Sequence, residues 1–325
     1  MPTAIASMNT TPTQIAERAS AIVDNVESVI LGKHATIEKA VIALLCGGHI
    51  LLEDVPGVGK TMLSKALAKS IGGDFRRIQF TPDLLPADIT GSSIFNQKEM
   101  QFEFRPGPIF GNVVLADEIN RATPKTQAAL LESMEERQVT VDGTTRPLPL
   151  PFFVIATQNN VELTGTYPLP EAQLDRFFLR LSIGYPDKNV EADILKNQQM
   201  ESPIDSIGAV VGLEELMNLQ RAVRAIFVHA SIREYVVEIV TATRESNQII
   251  LGASPRGSLL LMQAAQAHAA LRGKEFVRPD DVKEMAPAVL GHRIIARADL
   301  RSRGVPIDEL IDNLISGVRA PVPVA

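Results

Sequence analysis

Apolar residues first recur at helical spacing near the start of the chain. Ile15, Ala19, Ile22, Val26 and Val29 fall on one stripe and predict an amphipathic helix over Ile15–Val29. A short loop, Ile30-Leu31-Gly32-Lys33, leads into a second helix that reaches Cys46 and is closed by Gly47-Gly48. The period then changes. Ile50-Leu51-Leu52 is a short apolar run of buried-strand type, and beyond a glycine-punctuated turn Leu63, Ala66, Leu67 and Ile71 restore helical spacing until Gly72-Gly73. Arg77–Phe80, Asn112–Ala116, Pro151–Ala156 and Leu179–Ile183 read as further strands. Thr123-Pro124 supplies a cap and a first-turn proline for a helix reaching Arg137. Strands alternating with helices predict a parallel sheet covered on both faces, with ligands at the strands' C-terminal ends.

Two segments break that rhythm. Met100, Phe102 and Phe104 alternate with Gln101, Glu103 and Arg105, and Ser92–Phe95 precedes them across the polar turn Asn96-Gln97-Lys98-Glu99, so a β-hairpin is expected there. Val139-Thr140-Val141 and Thr144-Thr145-Arg146 flank Asp142-Gly143, a strong hairpin signal. After Tyr185-Pro186 no convincing buried strand follows. Helical patterns cover Lys188–Met200, Leu213–Ile226, Ile232–Gln248, Pro255–Leu271 and Pro279–Leu290, and a weakly helical tail begins at Pro306 and frays through Pro321 and Pro323. The expected division is a helical extension over 1–26, an αβα core over 27–185 and a helical domain with its tail over 186–325.

The chemistry concentrates where the first strand ends. In Glu53-Asp54-Val55-Pro56-Gly57-Val58-Gly59-Lys60-Thr61-Met62 the glycines let the backbone turn its N–H groups toward phosphate oxygens, and the helix that follows adds the positive end of its dipole. Val55–Met62 would cradle the phosphates of a nucleotide, with Lys60 reaching the β- and γ-phosphates and the Thr61 hydroxyl ligating Mg²⁺. Asp54 stands where the strict motif has glycine, a change its tolerance of left-handed backbone angles would accommodate. The strand Asn112–Ala116 runs into Asp117-Glu118: Asp117 can hold Mg²⁺, directly or through water, and Glu118 can orient and activate an attacking water.

Composition narrows the field. The 325 residues are 45% hydrophobic and 22% charged, ordinary for a globular protein of two domains. A net charge of −6 argues against a general electrostatic grip on nucleic acid or anionic lipid. One cysteine, Cys46, cannot form an internal disulfide and sits in an apolar run. Met1–Gln14 has no basic start or apolar core, and Ala40–Leu52 is broken by Gly47-Gly48-His49 and too short to span a bilayer, so a cytoplasmic protein is expected. The five histidines are scattered without metal-ligand spacing. Asp83, Asp88, Asp280 and Asp281 read as helix caps, and Arg293, Arg297, Arg301 and Arg303 as a lid or subunit-contact face.

Glu53–Thr61, Phe104–Arg121, Ile155–Asn159 and Leu169–Phe177, together with Ser254-Pro255-Arg256 and Arg278–Val282, resemble the AAA+ ATPases, and more narrowly the MoxR family. The resemblance spans about Glu27 to Arg301. It implies a P-loop NTPase αβα core with inserted β-hairpins and a small all-helical lid, ATP and Mg²⁺ as cofactors, and a homo-oligomeric ring, expected to be a hexamer. It also implies three roles. Asn159 matches the sensor-1 amide beside the γ-phosphate, against the plainer reading of a turn cap. Arg176 matches an arginine finger acting on the neighbouring subunit, against a pair with Asp175 or Glu171. Arg256, in the first turn of a helix capped by Ser254, matches sensor 2, against a solvated surface arginine.

The function so implied is ATP-driven chaperone-like remodelling, maturation or metal-cofactor activation of a client complex, with a von Willebrand factor A domain protein as partner. A magnesium-chelatase-like ATPase subunit shares the architecture. A nucleic-acid motor would need a basic hairpin, and this tip holds only Lys98 beside Glu99. A nucleotide-gated module without turnover would have no need of Glu118 and Arg176.

Overall fold

A computed structural model describes residues 10–159, 165–197 and 202–321; the expected helix end at Met200 and the tail at Pro323 lie outside the described residues. Helix α1 (Pro12–Glu27) opens with a reciprocal cap: Gln14 N–H donates to the Thr11 hydroxyl at 3.3 Å, and Thr11 N–H to the Gln14 side chain at 2.9 Å. Helix α2 (His34–Cys46) stops at Gly47, whose φ of +63° is the left-handed turn that glycine adopts without penalty. Then come β1 (Ile50–Glu53), α3 (Lys60–Ser70), β2 (Phe75–Gln79) and α4 (Pro86–Thr90). The hairpin β3 (Gly91–Asn96) and β4 (Gln101–Pro106) precedes β5 (Val113–Asp117), a 3-10 turn over Ile119–Arg121 and α5 (Pro124–Glu136). A second hairpin, β6 (Gln138–Val141) and β7 (Thr144–Pro147), is followed by β8 (Phe153–Gln158), α6 (Glu171–Leu174) and β9 (Leu179–Leu181).

Five strands form one sheet in the order β2-β5-β8-β1-β9, every neighbour parallel. Alternation sends Ile50 and Leu52 to one side and Leu51 to the other, so β1 is buried on both faces. The C-terminal ends of β5, β8 and β1 stand side by side, which puts the loops after Asp117, Gln158 and Glu53 along one edge. Asp142 and Gly143 both have positive φ, +52° and +73°, the backbone of the tight turn that an Asp-Gly pair favours.

Beyond β9 lie α7 (Lys188–Asn197), α8 (Pro203–Ser206), α9 (Leu213–Arg224), α10 (Ala230–Glu245), β10 (Ile249–Leu251), α11 (Pro255–Leu271), α12 (Pro279–Leu290), β11 (Ile295–Ala296), α13 (Ala298–Ser302) and α14 (Ile307–Gly317). Alanine-rich α11 packs on α12 and α10, and also on α1 and α2, so the helical part shares a continuous core with the first two helices. Two features depart from expectation. The lid is not wholly helical: β10 and β11 form a short antiparallel ribbon, too short and too exposed at Ile250 to carry a buried-strand signature. The tail is firmer than its sequence suggests, because α14 buries Leu310, Ile311 and Ile315.

Candidate active site

The phosphate loop is a turn built on two glycines. Gly57 and Gly59 have φ of +87° and +97°, and a Cβ on Gly57 would meet nothing within 4 Å, so backbone conformation rather than space requires glycine there. Gly59 caps α3 with no side-chain acceptor, leaving the first-turn N–H groups of the helix to face an anion. The Lys60 ammonium donates to the Asp54 carbonyl oxygen at 2.7 Å. Half-burial pushes the Lys60 pKa down, while the charges of Asp54, Asp117 and Glu118 pull it back up.

Asp54 is tolerated for a reason other than the one its backbone tolerance suggests, since it is not among the residues with positive φ. Its carboxylate accepts the Ser182 hydroxyl at 2.8 Å and the N–H groups of Ile183 and Gly184 at 2.6 and 3.0 Å. A charged acceptor on two backbone donors is a strong link. It fastens the start of the phosphate loop to the segment leaving β9.

At the end of β5 the two carboxylates are held differently. Asp117 accepts the Thr157 hydroxyl at 2.7 Å and the Arg77 guanidinium at 2.6 Å. Glu118 has φ +58° and ψ +50°, a left-handed backbone unusual for a non-glycine residue, and its N–H donates to the same Thr157 hydroxyl at 2.8 Å. Thr157 on β8 thus bridges both acidic positions. The Glu118 carboxylate accepts from Gln79 at 2.9 Å and lies 3.3 Å from Arg121. Asn159 is buried one residue beyond β8, its carbonyl oxygen 3.4 Å from the Asn120 amide. Thr61, in the first turn of α3, and Asp117 offer the hard oxygen donors that suit Mg²⁺.

Beside the loop lies a cavity of about 240 Å³, walled by Ile30, Lys33, Val58, Met62, Ile183 and Pro186 among others. Lys33 donates to the Tyr185 carbonyl at 2.8 Å, tying one wall to the other. Of its lining, the sequence marked only the loop residues Gly57, Val58, Gly59 and Met62. The contribution of Ile30–Lys33 and Ile183–Pro186 depends on two distant segments meeting, which local pattern does not show.

Arg176 and Arg256 are together, but not with the phosphate loop. Both line a cavity with Gly47, Gly48 and His49, which enter β1 at its N-terminal end, whereas Lys60 follows its C-terminal end. Four residues of strand, about 13 Å, intervene. Asp175 is not the partner of Arg176: it accepts from Ser254 at 3.1 Å and from Arg293 at 2.8 Å. Arg293 therefore belongs to no surface cluster. It is buried against Asp175 and the carbonyls of Phe177 and Phe178, with its pKa lowered by burial to about 10. The expected capping roles hold for Asp88, which accepts Leu85 N–H at 2.8 Å, and for Asp281, which accepts Arg278 N–H at 2.8 Å.

Known proteins resemble this chain over most of its length. Residues 49–179 match the family described as ATPases associated with various cellular activities (AAA), and residues 241–314 match the AAA lid domain. The chain is 54% identical over 300 residues to the uncharacterized protein YeaC of Bacillus subtilis, covering 92% of this chain and 94% of that one. It is 41% identical over 305 residues to chaperone MoxR1 of Mycobacterium tuberculosis, covering 91% and 80%. The crystal structure of a proposed ATPase from Cytophaga hutchinsonii matches with a TM-score of 0.88 at 38% identity, covering 96% of this chain and 97% of that one. Fold and family matches together define an AAA+ ATPase. Within that class the chain belongs to the MoxR family.

Proposed function

We propose that this chain hydrolyses ATP with Mg²⁺ at sites shared between subunits of a hexameric ring, and that turnover remodels or activates a client protein complex. The nucleotide would be held by the core over 27–185, its base in the cavity between Ile30, Val58 and Ile183 and its phosphates on Val55–Met62. Lys60 would leave the Asp54 carbonyl for the phosphates. Magnesium, held by Thr61 and Asp117, would neutralise phosphate charge. Glu118, already 2.9 Å from the Gln79 amide, would accept the proton of the attacking water, and Asn159 would position that water.

One observation carries the shared-site reading: Arg176 and Arg256 stand at the wrong end of β1 to serve the phosphate loop of their own chain. Arg176 also makes no side-chain hydrogen bond or ion pair among the described residues, leaving its charge available to a neighbour. For the client, protein fits better than nucleic acid, because the hairpin tip exposes Phe95, Met100 and Phe102 rather than a basic surface. The von Willebrand factor A partner and the metal-activation outcome rest on family resemblance, and the chaperone role on the name of the mycobacterial relative. A cytoplasmic location accords with there being no helix, among the described residues, long and apolar enough to cross a membrane.

Mixing tests the shared site. Glu118→Gln subunits lack the water-activating carboxylate, and Arg176→Ala subunits lack the finger, so each alone should be nearly inactive. A one-to-one mixture should regain ATPase activity at interfaces pairing an intact nucleotide site with an intact Arg176. A mixture as inactive as its components would refute the shared site.

A further inference from the structure

The cavity that holds Arg176 and Arg256 is more cationic than a finger and a sensor require. Arg137 at the end of α5 and Arg224 at the end of α9 also face it, so four guanidinium groups surround about 190 Å³. Among the described residues, the sole carboxylate on that wall is Glu135. His49 adds no positive charge near neutral pH, because burial brings its pKa down to about 4. Glu135 and Arg256 form a fork: the two guanidinium nitrogens donate to the two carboxylate oxygens at 3.1 and 2.8 Å. This planar, bidentate geometry is the one guanidinium also uses to grip phosphate. The Glu135 carboxyl is held below its usual range first by its hydrogen bond from Arg256, and in part by the charge of Arg176.

Two arginine–carboxylate pairs at the lid can be set against one another. Arg293 with Asp175 is closed off, the arginine side chain only 1% exposed, so it is a fixed joint. Arg256 with Glu135 is open, at 38% and 40% exposure. Open pairs contribute little net stability and exchange easily. A ligand carrying several negative charges would therefore take Arg256 from Glu135 without disturbing the fold, and the surplus of arginines favours its arrival.

From this we infer that Glu135 is a placeholder: in the separate chain it occupies Arg256, and the terminal phosphates of ATP held by a second copy displace it as subunits join. Arg137 and Arg224 complete the receptor that those phosphates enter. The inference rests on the shared-site reading above. Glu135 acts through Arg256, so it is a positioning residue, and its effect is to raise the protein concentration at which subunits associate and become active.

The test measures ATPase rate per subunit against protein concentration, with ATP-dependent association followed by sedimentation. Glu135→Gln and Glu135→Ala should lower the half-activating concentration, on the order of threefold for the loss of one exposed pair. Neither should lower the concentration needed for ATP-dependent association further in an Arg256→Ala background, where there is nothing to release. A merely structural Glu135 would reduce the melting temperature and leave the threshold where it is or raise it, and that result would overturn the inference. Arg256→Ala separates the two layers. If it keeps native activity at saturating protein, the shared-site reading fails. If it is inactive while the Glu135 variants keep the native threshold, only the placeholder fails.

Discussion

At the scale of single residues, the site is organised by a threonine. The Thr157 hydroxyl takes the Glu118 N–H and gives its own proton to Asp117, so one side chain on β8 fixes both acidic residues of β5. Sequence gave no hint of this. A threonine in a buried run of Phe153–Gln158 looks like an ordinary β-branched filler. Thr157→Val keeps shape and removes the bridge, so the left-handed Glu118 loses its donor's partner and Asp117 loses one hydrogen bond. The turnover number should fall about 10- to 100-fold, as for other residues that orient a reacting group, with little change in the amount of protein that folds. A steady-state ATPase assay reads this directly, and turnover within twofold of native would show that Thr157 only fills space. Asp54 teaches the converse. Its place in the motif was visible, yet its role lay in a contact with Ser182–Gly184, some 130 residues on, that no local rule reveals.

Among the elements, strands and helices with a strong period were legible, and so were both hairpins, because Asp142-Gly143 and the Met100–Arg105 alternation are local signals. The ribbon β10–β11 was not, since it is defined by what it packs on, and helix α14 was legible only as a weakly helical tail from Pro306. Nor could sequence foresee that the hairpins touch: the Arg146 guanidinium lies 3.9 Å from the Phe104 ring centroid, joining β7 to β4. His49 shows how elements are joined below the sheet. It accepts Val154 N–H of β8 at 3.0 Å on Nδ1 and lies 3.2 Å from the Met134 carbonyl of α5 on Nε2, which fixes a neutral ring with its proton on Nε2. Burial lowers its pKa from 6.5 to about 4. The unfolded chain therefore binds the extra proton between these values, and the stability that His49 contributes is complete above pH 6.5 and lost as pH falls toward 4. The loss at the acid end is about 3 kcal/mol. Urea unfolding at pH 8, 6 and 5 should show it, and His49→Gln, less stable throughout, should show a shallower pH dependence over that window.

For the whole molecule, the sheet carries two groups of candidate residues at its two ends. Phosphate loop, Asp117, Glu118 and Asn159 gather at the C-terminal edge, while Arg176 and Arg256 gather beside the entry to β1. The motifs named all these residues, but their separation became visible only in three dimensions, because distance across a sheet is not a sequence property. On the shared-site proposal, a subunit built this way is incomplete alone and complete against a copy of itself. ATPase rate per subunit, measured against protein concentration for the native chain and for Arg176→Ala, tests that claim most directly. The account predicts a specific activity that climbs with concentration to a plateau, and loss of that activity in Arg176→Ala at every concentration. A native rate per subunit independent of concentration, retained in Arg176→Ala, would contradict it.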